Sequence, residues 1–216
     1  MKKYLVTLFI TTFSFLSFSQ LNFQCNFQGD PLKLDSIYEL NPGEFFSVKE
    51  LKFYLSDFLF YNEKGEVLHH SDTLIFYDLE EGSGRLLLSE ALVGVNKIEF
   101  LLGLDSVKNV SGALEGPYDP LLGMYWAWNT GYINFKLKGT ANWIPIPKND
   151  FEFHIGGYRA PYGASQKCTL FVKGSTFYFN LDSFLQSWNL KELNHLMVPG
   201  EKAFFFSREL VKHFHF

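Results

Sequence analysis

An aromatic run and a distant histidine are the residues of this chain whose types and spacing are suited to chemistry. Trp126 and Trp128 stand one residue apart, in a run that also holds Tyr125 and Tyr132. Side chains of an extended chain repeat every second residue, so both indoles are predicted to point to the same side. Indoles placed in this way can pack into a core, stack on a flat ligand, or flank a metal ion as an oxidisable ring. The residues alone leave these three interpretations open.

His154 is a candidate metal ligand among the six histidines. Its surroundings, residues 151–157, alternate in a way that predicts a strand with Glu152 and His154 on one face and Phe151, Phe153 and Ile155 on the other. Imidazole suits copper and zinc alike. The alternative is a solvent-facing or hydrogen-bonded strand histidine, because no chelating partner lies nearby in the sequence.

The other histidines are weaker candidates. His69 and His70 are adjacent, so a strand would send them to opposite faces. His213 and His215 are spaced to share a face, but they stand at the C-terminus, where a surface or disordered tail is predicted. His195 is predicted to be a plain loop residue.

Acidic residues and sequence motifs favour binding over catalysis. Asp105, Glu115 and Asp119 offer oxygen ligands of the kind calcium takes, but their spacing is not that of an EF-hand, and a solvated acidic loop is predicted. The sequence lacks the Gly-x-Ser-x-Gly, P-loop, His-Glu-x-x-His and Cys-x-x-Cys motifs. We therefore expect a protein that is not an enzyme.

The elements that must position these residues are mostly short strands separated by turns. This pattern predicts an all-β fold, a two-sheet antiparallel β-sandwich with long loops and one or two short helices. A long loop is predicted over residues 106–125, and helices over residues 183–190, capped by Asp182, and 89–93. Strands are predicted over residues 23–28, 51–61, 67–70, 74–79, 97–102, 133–137, 151–155, 169–172, 176–181 and 203–206.

The N-terminus has the pattern of a cleaved signal peptide. Lys2 and Lys3 precede an apolar stretch over residues 4–18, and Ser17 and Ser19 supply the small residues before a cut at Gln20. The predicted organisation is a signal peptide at 1–19 and one domain at 20–216, exported to the periplasm or the extracellular space, with no membrane span after cleavage. The formal charge of −4 becomes −6 without the two lysines, which argues against nucleic acid as a partner.

Two cysteines, Cys25 and Cys168, remain in the exported chain. An oxidising compartment permits a disulfide between them, which would close a long loop. Two separate buried thiols, or a thiolate metal ligand, are the alternatives that the sequence leaves open.

Several segments taken together resemble one protein family. They are residues 51–58 (Leu-Lys-Phe-Tyr-Leu-Ser-Asp-Phe), residues 100–105 (Phe-Leu-Leu-Gly-Leu-Asp), residues 118–132 (Tyr-Asp-Pro-Leu-Leu-Gly-Met-Tyr-Trp-Ala-Trp-Asn-Thr-Gly-Tyr) and residues 153–157 (Phe-His-Ile-Gly-Gly). In this order they are similar to the MbnP-like family of methanobactin-associated periplasmic proteins. The run from Gly123 to Tyr132 is the specific part of the resemblance.

The resemblance implies an exported, mostly β protein. In copper-binding members of the family, histidines and a tryptophan oxidised to kynurenine hold a copper ion, and a di-haem peroxidase-like partner is associated with the oxidation. By motif position, Trp126 corresponds to the oxidised residue and His154 to the later histidine ligand. This chain departs from the family pattern at Trp128, where the copper-binding version has a histidine. Met124, His69 or Cys25 would then have to complete the ligand set.

Residues and resemblance together predict an exported metal-binding protein, with copper as the expected ion, that acts in copper binding or trafficking. Its ligands would be His154 and Trp126. The alternative is a secreted binding or adhesion module without metal, in which Tyr125, Trp126, Trp128 and Tyr132 form a stacking platform. A purely structural domain, with all of these rings in its core, is the third possibility.

Overall fold

The computed structural model describes residues 17–82, 84–129, 131–145 and 149–216, which form an all-β, sandwich-like fold. The described helices are short, and the α-helices among them are α1 (Ser106–Val110), α2 (Leu181–Ser187) and α3 (Glu201–Leu210). The strands in chain order are β1 (Ser17–Phe27), β2 (Asp30–Pro31), β3 (Tyr38–Asn41), β4 (Glu44–Tyr61), β5 (Val67–Ser71), β6 (Ile75–Asp78), β7 (Gly84–Val93), β8 (Lys97–Leu102), β9 (Tyr125–Trp126), β10 (Gly131–Ala141), β11 (Asp150–Gly156), β12 (Gln166–Phe171), β13 (Thr176–Asn180), β14 (His195–Leu196) and β15 (Phe214–His215).

These strands form two sheets. The smaller sheet has the order β15-β13-β1-β2, with β7 also paired to β1. The larger sheet has the order β12-β8-β4-β10-β11-β14; β3, β5 and β6 also pair with β4, and β9 with β10. The predicted sandwich is therefore confirmed. Its antiparallel character is interrupted where β1 pairs with β13 and β11 with β14, since both of these pairs are parallel.

Phenylalanine rings fill the space between the two sheets. The ring of Phe23, from the small sheet, meets that of Phe53, from the large sheet, edge to face at 5.4 Å. Phe53 stacks on Phe135 of the neighbouring strand at 5.6 Å. Ring pairs of this kind stabilise a core beyond the effect of their buried area. Of the 25 phenylalanines in the sequence, 15 belong to this core among the described residues.

Strand β10 is buried on both faces, whereas its sequence predicts a half-buried strand. Phe135 and Leu137 face the core between the sheets, as the alternation indicates. Asn134 and Lys136, on the opposite face, are also buried. A loop therefore covers the outer side of the large sheet at this point.

Two predicted elements have the wrong type. Residues 203–206 lie in helix α3, and its buried residues Ala203, Phe206, Ser207 and Leu210 repeat at helical spacing. Residues 89–93 lie in strand β7, which pairs with β1 far away in the sequence. At residues 203–206 the helical periodicity of the apolar residues was overlooked. At residues 89–93 the strand depends on pairing with β1, which no local sequence pattern indicates.

Helix α2 begins two residues earlier than predicted, and Asn180 occupies the cap position instead of Asp182, which lies in the first turn. Phe184 and Leu185 are buried, in line with the predicted apolar side of this helix. The C-terminal segment after α3 is ordered as strand β15 on β13, so the prediction of a frayed or surface tail is wrong.

The predicted signal peptide falls largely outside the described residues, and its last residues, 17–19, begin strand β1. A cut before Gln20 would keep the part of β1 that pairs with β13, from Asn22 to Asn26. Within the part of the chain that the structure describes, no helix is both long and apolar enough to cross a membrane.

Cys25 and Cys168 are separate, buried free thiols. Burial raises the pKa of both thiols well above the ordinary value, so neither is a thiolate near neutral pH. Of the three alternatives, the structure shows two separate buried thiols. Neither thiol is ionised near neutral pH, as a metal ligand would need to be.

Candidate metal centre

The long loop at residues 106–125 is folded against the outer face of the large sheet. It contains helix α1 and two 3-10 turns, Gly116–Tyr118 and Pro120–Leu122. Asp105 accepts a hydrogen bond from the backbone N–H of Lys108, and Asp119 accepts one from that of Leu121. These carboxylates cap turns, as N-cap aspartates do, which explains their positions without a calcium ion.

Buried polar side chains tie this loop to β10. Asn109 is fully buried; its amide donates to the carbonyl oxygens of Leu104 and Asp105 and accepts from the backbone N–H of Tyr132. The Tyr132 hydroxyl donates to the carbonyl of Gly112 and accepts from the N–H of Leu114. Because buried polar groups are costly unless they are paired, this network fixes the loop in one position.

A small second core lies beneath the loop, separate from the core between the sheets. Its buried members are Tyr54, Leu104, Met124, Trp126, Tyr132 and Ile133. The backbone of β9 holds Trp126 in place, since Trp126 pairs with Gly131 of β10. Trp126 therefore belongs to a packed cluster on the outer face of the sheet, and its side chain is 4% exposed.

The two indoles are in contact, as their spacing predicts, but their exposure differs. The ring centroids of Trp126 and Trp128 are 5.4 Å apart. Trp128 is 63% exposed, whereas Trp126 and Tyr132 are buried. The four-ring stacking platform is thus wrong as a surface feature, because two of its rings are in the small core and Tyr125 packs on Tyr132.

The Trp126 ring packs against the backbone of Gly156 at the end of β11. A Cβ atom added at Gly156 would lie 3.0 Å from Cζ3 of Trp126 and 2.5 Å from the carbonyl oxygen of Tyr132. Real Cβ contacts are not this short, so only glycine leaves space for the indole over the strand. Two residues earlier on the same strand stands His154, and residues i and i+2 share a face.

Trp126 and His154 therefore lie on the same outer face of the large sheet. Gly156 and His154 are separated along β11 by about 7 Å at the usual rise per residue. The face is confirmed by the burial pattern of β11, in which Phe151, Phe153 and Ile155 point into the core and Glu152 and His154 point away from it. The fold thus places on one face of the sheet the two residues that the sequence singles out as metal ligands.

The imidazole of His154 has no hydrogen-bond partner for its Nε2 atom, which is buried. Oε1 of Glu152 is 3.0 Å from this nitrogen but lacks the direction for a hydrogen bond, and Nζ of Lys138 holds the same oxygen at 2.8 Å. An orphaned buried ring nitrogen is unusual in a folded protein. It is the observation at this site that points to a ligand.

Burial, and then the charge of Lys136 opposite it on β10, lower the pKa of His154 to about 4, and the carboxylate of Glu152 offsets only part of this effect. Burial opposes ionisation of Glu152 as well, but its contacts with Lys138 outweigh burial and lower the pKa of the carboxyl. Near neutral pH the imidazole is neutral, which is the form that binds metals.

The donors at this site fit a metal ion in part. One neutral imidazole nitrogen is free, and imidazole suits copper. Of the residues proposed to complete the ligand set, Met124 shares the small core with Trp126. Cys25 lies in the core between the sheets, and His69 lies beside Phe60 near the far end of β4. The ammonium group of Lys136, which also pairs with Glu50 at 3.0 Å, stands close to the site.

Three other histidines lie in the C-terminal part of the chain and contact local partners there. His213 contacts the hydroxyls of Ser183 and Ser187 at 2.8 and 3.1 Å and so joins α2 to the C-terminal segment. His215 lies in β15. His195 was predicted to be a loop residue, but it lies in β14 beside β11, with Nε2 3.5 Å from Oδ1 of Asp150.

Sequence reasoning missed the residues that build the site around its ligands. Asn109 and Asn134 carry no motif, and their role depends on buried backbone groups of the loop; the amide of Asn134, for example, accepts from the N–H of Leu104. Gly156 entered the sequence analysis only as part of the segment at residues 153–157. Its pairing with Gly157 directly after an alternating strand was the signal for a ring packed on the backbone.

Comparisons with known proteins agree with this architecture. A family model described as MbnP matches residues 17–198. Among solved structures, MbnP from Methylosinus trichosporium is similar to this chain with a TM-score of 0.56 and 14% sequence identity, over 86% of this chain and 84% of that chain. At this identity the similarity concerns the fold alone. No curated protein matches the chain.

Proposed function

This chain belongs to the MbnP family, and on that premise we propose that it is an exported protein that binds a copper ion as its cargo. His154 is the direct ligand, and Trp126 is the aromatic residue beside it. The role is copper binding or trafficking, without turnover of a substrate. The single observation that carries the proposal is the buried, neutral imidazole of His154 with an unpartnered Nε2 on the same face as Trp126.

The small core explains how such a site would be kept selective. Trp126 and Met124 are buried under a loop that is pinned by hydrogen bonds, and the His154 side chain on the same face is 16% exposed. A dry site favours a neutral nitrogen donor and a weakly hydrated ion. Copper suits imidazole and thioether ligands, and Met124 is the thioether among the buried residues of the small core.

Oxidation of Trp126, as the family resemblance implies, belongs to the same proposal. A di-haem peroxidase-like partner would meet the protein at Trp128, because this ring is exposed and contacts Trp126. The oxidised ring would carry an aromatic amine, which adds a second nitrogen donor beside His154. The N-terminal targeting pattern supports an exported, periplasmic or extracellular location for this encounter.

Titration of metal-free protein with copper(I) tests the proposal. We expect wild type to bind one equivalent and His154→Ala to lose it. His195→Ala is the matched control, since His195 lies on the adjacent strand of the same sheet and should leave copper binding intact. Mass spectrometry of protein from its own host should find Trp126 converted to kynurenine, with one oxygen gained and one ring carbon lost as formate.

Absence of copper uptake below millimolar concentration, together with an unmodified Trp126, would refute the proposal. The binding-module alternative makes the opposite prediction for two variants. In that case Trp128→Ala would weaken binding of a flat ligand, because Trp128 is the exposed ring, and His154→Ala would have no effect.

A further inference from the structure

A second group of metal-donor side chains lies on the large sheet where β4 pairs with β5. Asp57, His70 and Asp72 each offer one ligand atom, and these atoms all lie within 4.8 Å of one another. The group is remote from the first site. Lys52 of β4 pairs with Lys136, which pairs with His154, and Asp57 is about 17 Å further along β4 at the usual rise per residue.

The backbone brings these three side chains together. His70 of β5 pairs with Leu59, and Asp72 follows directly after this strand. Asp57 lies at a bulge in the pairing of β4 with β8, where its φ is +55°. A bulge redirects a side chain out of the regular alternation, so the Asp57 carboxylate reaches His70 across the hairpin. Nε2 of His70 is 2.7 Å from Oδ1 of Asp57 and 3.3 Å from Oδ1 of Asp72.

We propose that Asp57, His70 and Asp72 form a binding site for a divalent transition-metal ion of the zinc type. Ligand atoms bound tetrahedrally to zinc at about 2.0–2.1 Å lie about 3.4 Å from each other. The observed separations need only small side-chain adjustments to reach that value. Two carboxylates and one imidazole form a set of oxygen and nitrogen ligands that such an ion accepts, and their two negative charges match its charge.

A small cavity toward β8 is lined by Asp57, although His70 and Asp72 are not among its lining residues. Its volume is about 20 Å³, and Asp57, Leu59, Glu99 and Lys167 are among the residues that line it. A space of this size holds about one water molecule. A three-residue site with a water in the fourth position is open to exchange, which agrees with the exposure of all three side chains.

The lysines on the neighbouring strands pair with a carboxylate outside the cluster, so they do not compete with a cation for Asp57 and Asp72. The lysine nearest to the cavity, Lys167, pairs with Glu99 at 3.4 Å, and Lys97 pairs with the same carboxylate at 3.0 Å. Asp57 and Asp72 have His70 as the ion-pair partner that the structure shows for them. Their charges are therefore not neutralised by a lysine in the described part of the chain.

Zinc titration by calorimetry tests this site, and it is best done in a His154→Gln background so that the first site contributes nothing. We expect this background to bind one zinc ion. Adding His70→Ala or Asp72→Asn should weaken zinc affinity at least tenfold. Asp72→Asn is nearly isosteric at a side chain that is 88% exposed, so a loss of folding would not explain its effect.

The matched control is His69→Ala. His69 is adjacent in the sequence, and its ring lies against Phe60, 5.8 Å away, and not at the cluster. This variant should bind zinc as the background does. No zinc uptake by the background, or equal uptake by the background and its His70→Ala and Asp72→Asn derivatives, would overturn the proposal. Because His154 is absent throughout, neither result bears on copper binding at the first site.

Discussion

Two histidines on the same large sheet, His154 and His70, have opposite environments. The His154 side chain is 16% exposed, lacks a hydrogen bond at Nε2, and has Lys136 opposite it. The His70 side chain is 48% exposed and lies between two carboxylates. The first site offers a dry, neutral nitrogen, and the second offers two negative charges in water. The position of each histidine in the sheet therefore determines which metal ion we expect it to bind, copper at His154 and a zinc-type ion at His70.

Strand position is the physical cause of this difference. β11 lies between β10 and β14, and its outer face is next to the small core beneath the long loop. β5 pairs only with β4 among the described strands, so His70 stands at a sheet edge that solvent reaches. Burial and a nearby ammonium group keep an imidazole neutral, whereas an edge permits carboxylates to gather without a desolvation cost.

Gly156→Ala should break the buried site while it leaves the exposed site unchanged. The new Cβ would collide with the Tyr132 carbonyl and the Trp126 ring, so we expect a loss of roughly 2–4 kcal/mol in the free energy of unfolding. Urea denaturation followed by tryptophan fluorescence measures it. Gly174→Ala is the control, since a Cβ there meets no atom within 4 Å. Equal stability of the two variants would show that a side chain at position 156 can be accommodated beside the Trp126 ring.

Acid should destabilise the metal-free protein through His154. The pKa of His154 is about 4 in the folded chain, below the ordinary value of about 6.5, so the unfolded state binds the proton first as pH falls. We expect about 2 kcal/mol of unfolding free energy to be lost on this account between pH 7 and pH 4.5. Stability should be independent of this group above pH 7. Denaturation curves of wild type and His154→Gln across this range isolate the contribution, and parallel curves would contradict it.

Trp128→His should sharpen the difference between the sites by giving the buried site a second imidazole. The Trp128 ring touches Trp126, so a histidine here would place a nitrogen beside the proposed ion. We expect copper affinity to rise by about tenfold, which corresponds to about 1.4 kcal/mol. Competition with a copper(I) chelator measures the change. Trp128→Phe keeps an aromatic ring without a donor atom and should not gain copper affinity. A gain in this variant would show that the added imidazole is not the cause of the tighter binding.

The smallest effect is expected at the exposed site without metal. His70→Gln should change the free energy of unfolding by less than about 0.5 kcal/mol, because exposed ion pairs contribute little. Thermal unfolding of metal-free wild type and variant provides the comparison. A much larger loss would mean that the pairs with Asp57 and Asp72 serve mainly to hold the hairpin together.

Local sequence patterns predicted the strands better than the helices. The alternation gave the correct faces of β11 and of β10 from Phe135 onward, and the strand at residues 97–102 was predicted with its observed bounds. Ile133 was predicted to share the face of Phe135, but a register shift between them places it in the small outer core. Residues 203–206 contain strand-favouring phenylalanines, yet the buried positions repeat at three and four residues, so packing made a helix there.

The candidate metal centre could be predicted only as two separate residues. Aromatic spacing and strand alternation indicated Trp126 and His154, and the resemblance joined them as a pair. The burial of the imidazole, its unpartnered Nε2 atom and the ammonium of Lys136 opposite it depend on strands distant in sequence. The cluster at Asp57 was missed because a bulge changed the alternation on which the pattern relies.

The sequence by itself determined which residues of β11, and of β10 from Phe135 onward, turn toward the core between the sheets, since side chains alternate along a regular strand. It also determined that an indole pair would lie together at the entrance to β10. Only the tertiary structure decided that the Trp126 ring would pack over Gly156 on the face that carries His154, and that His70 would meet two carboxylates. Electrostatic environment depends on neighbours brought by strand pairing and loop packing, and those neighbours are far apart along the chain.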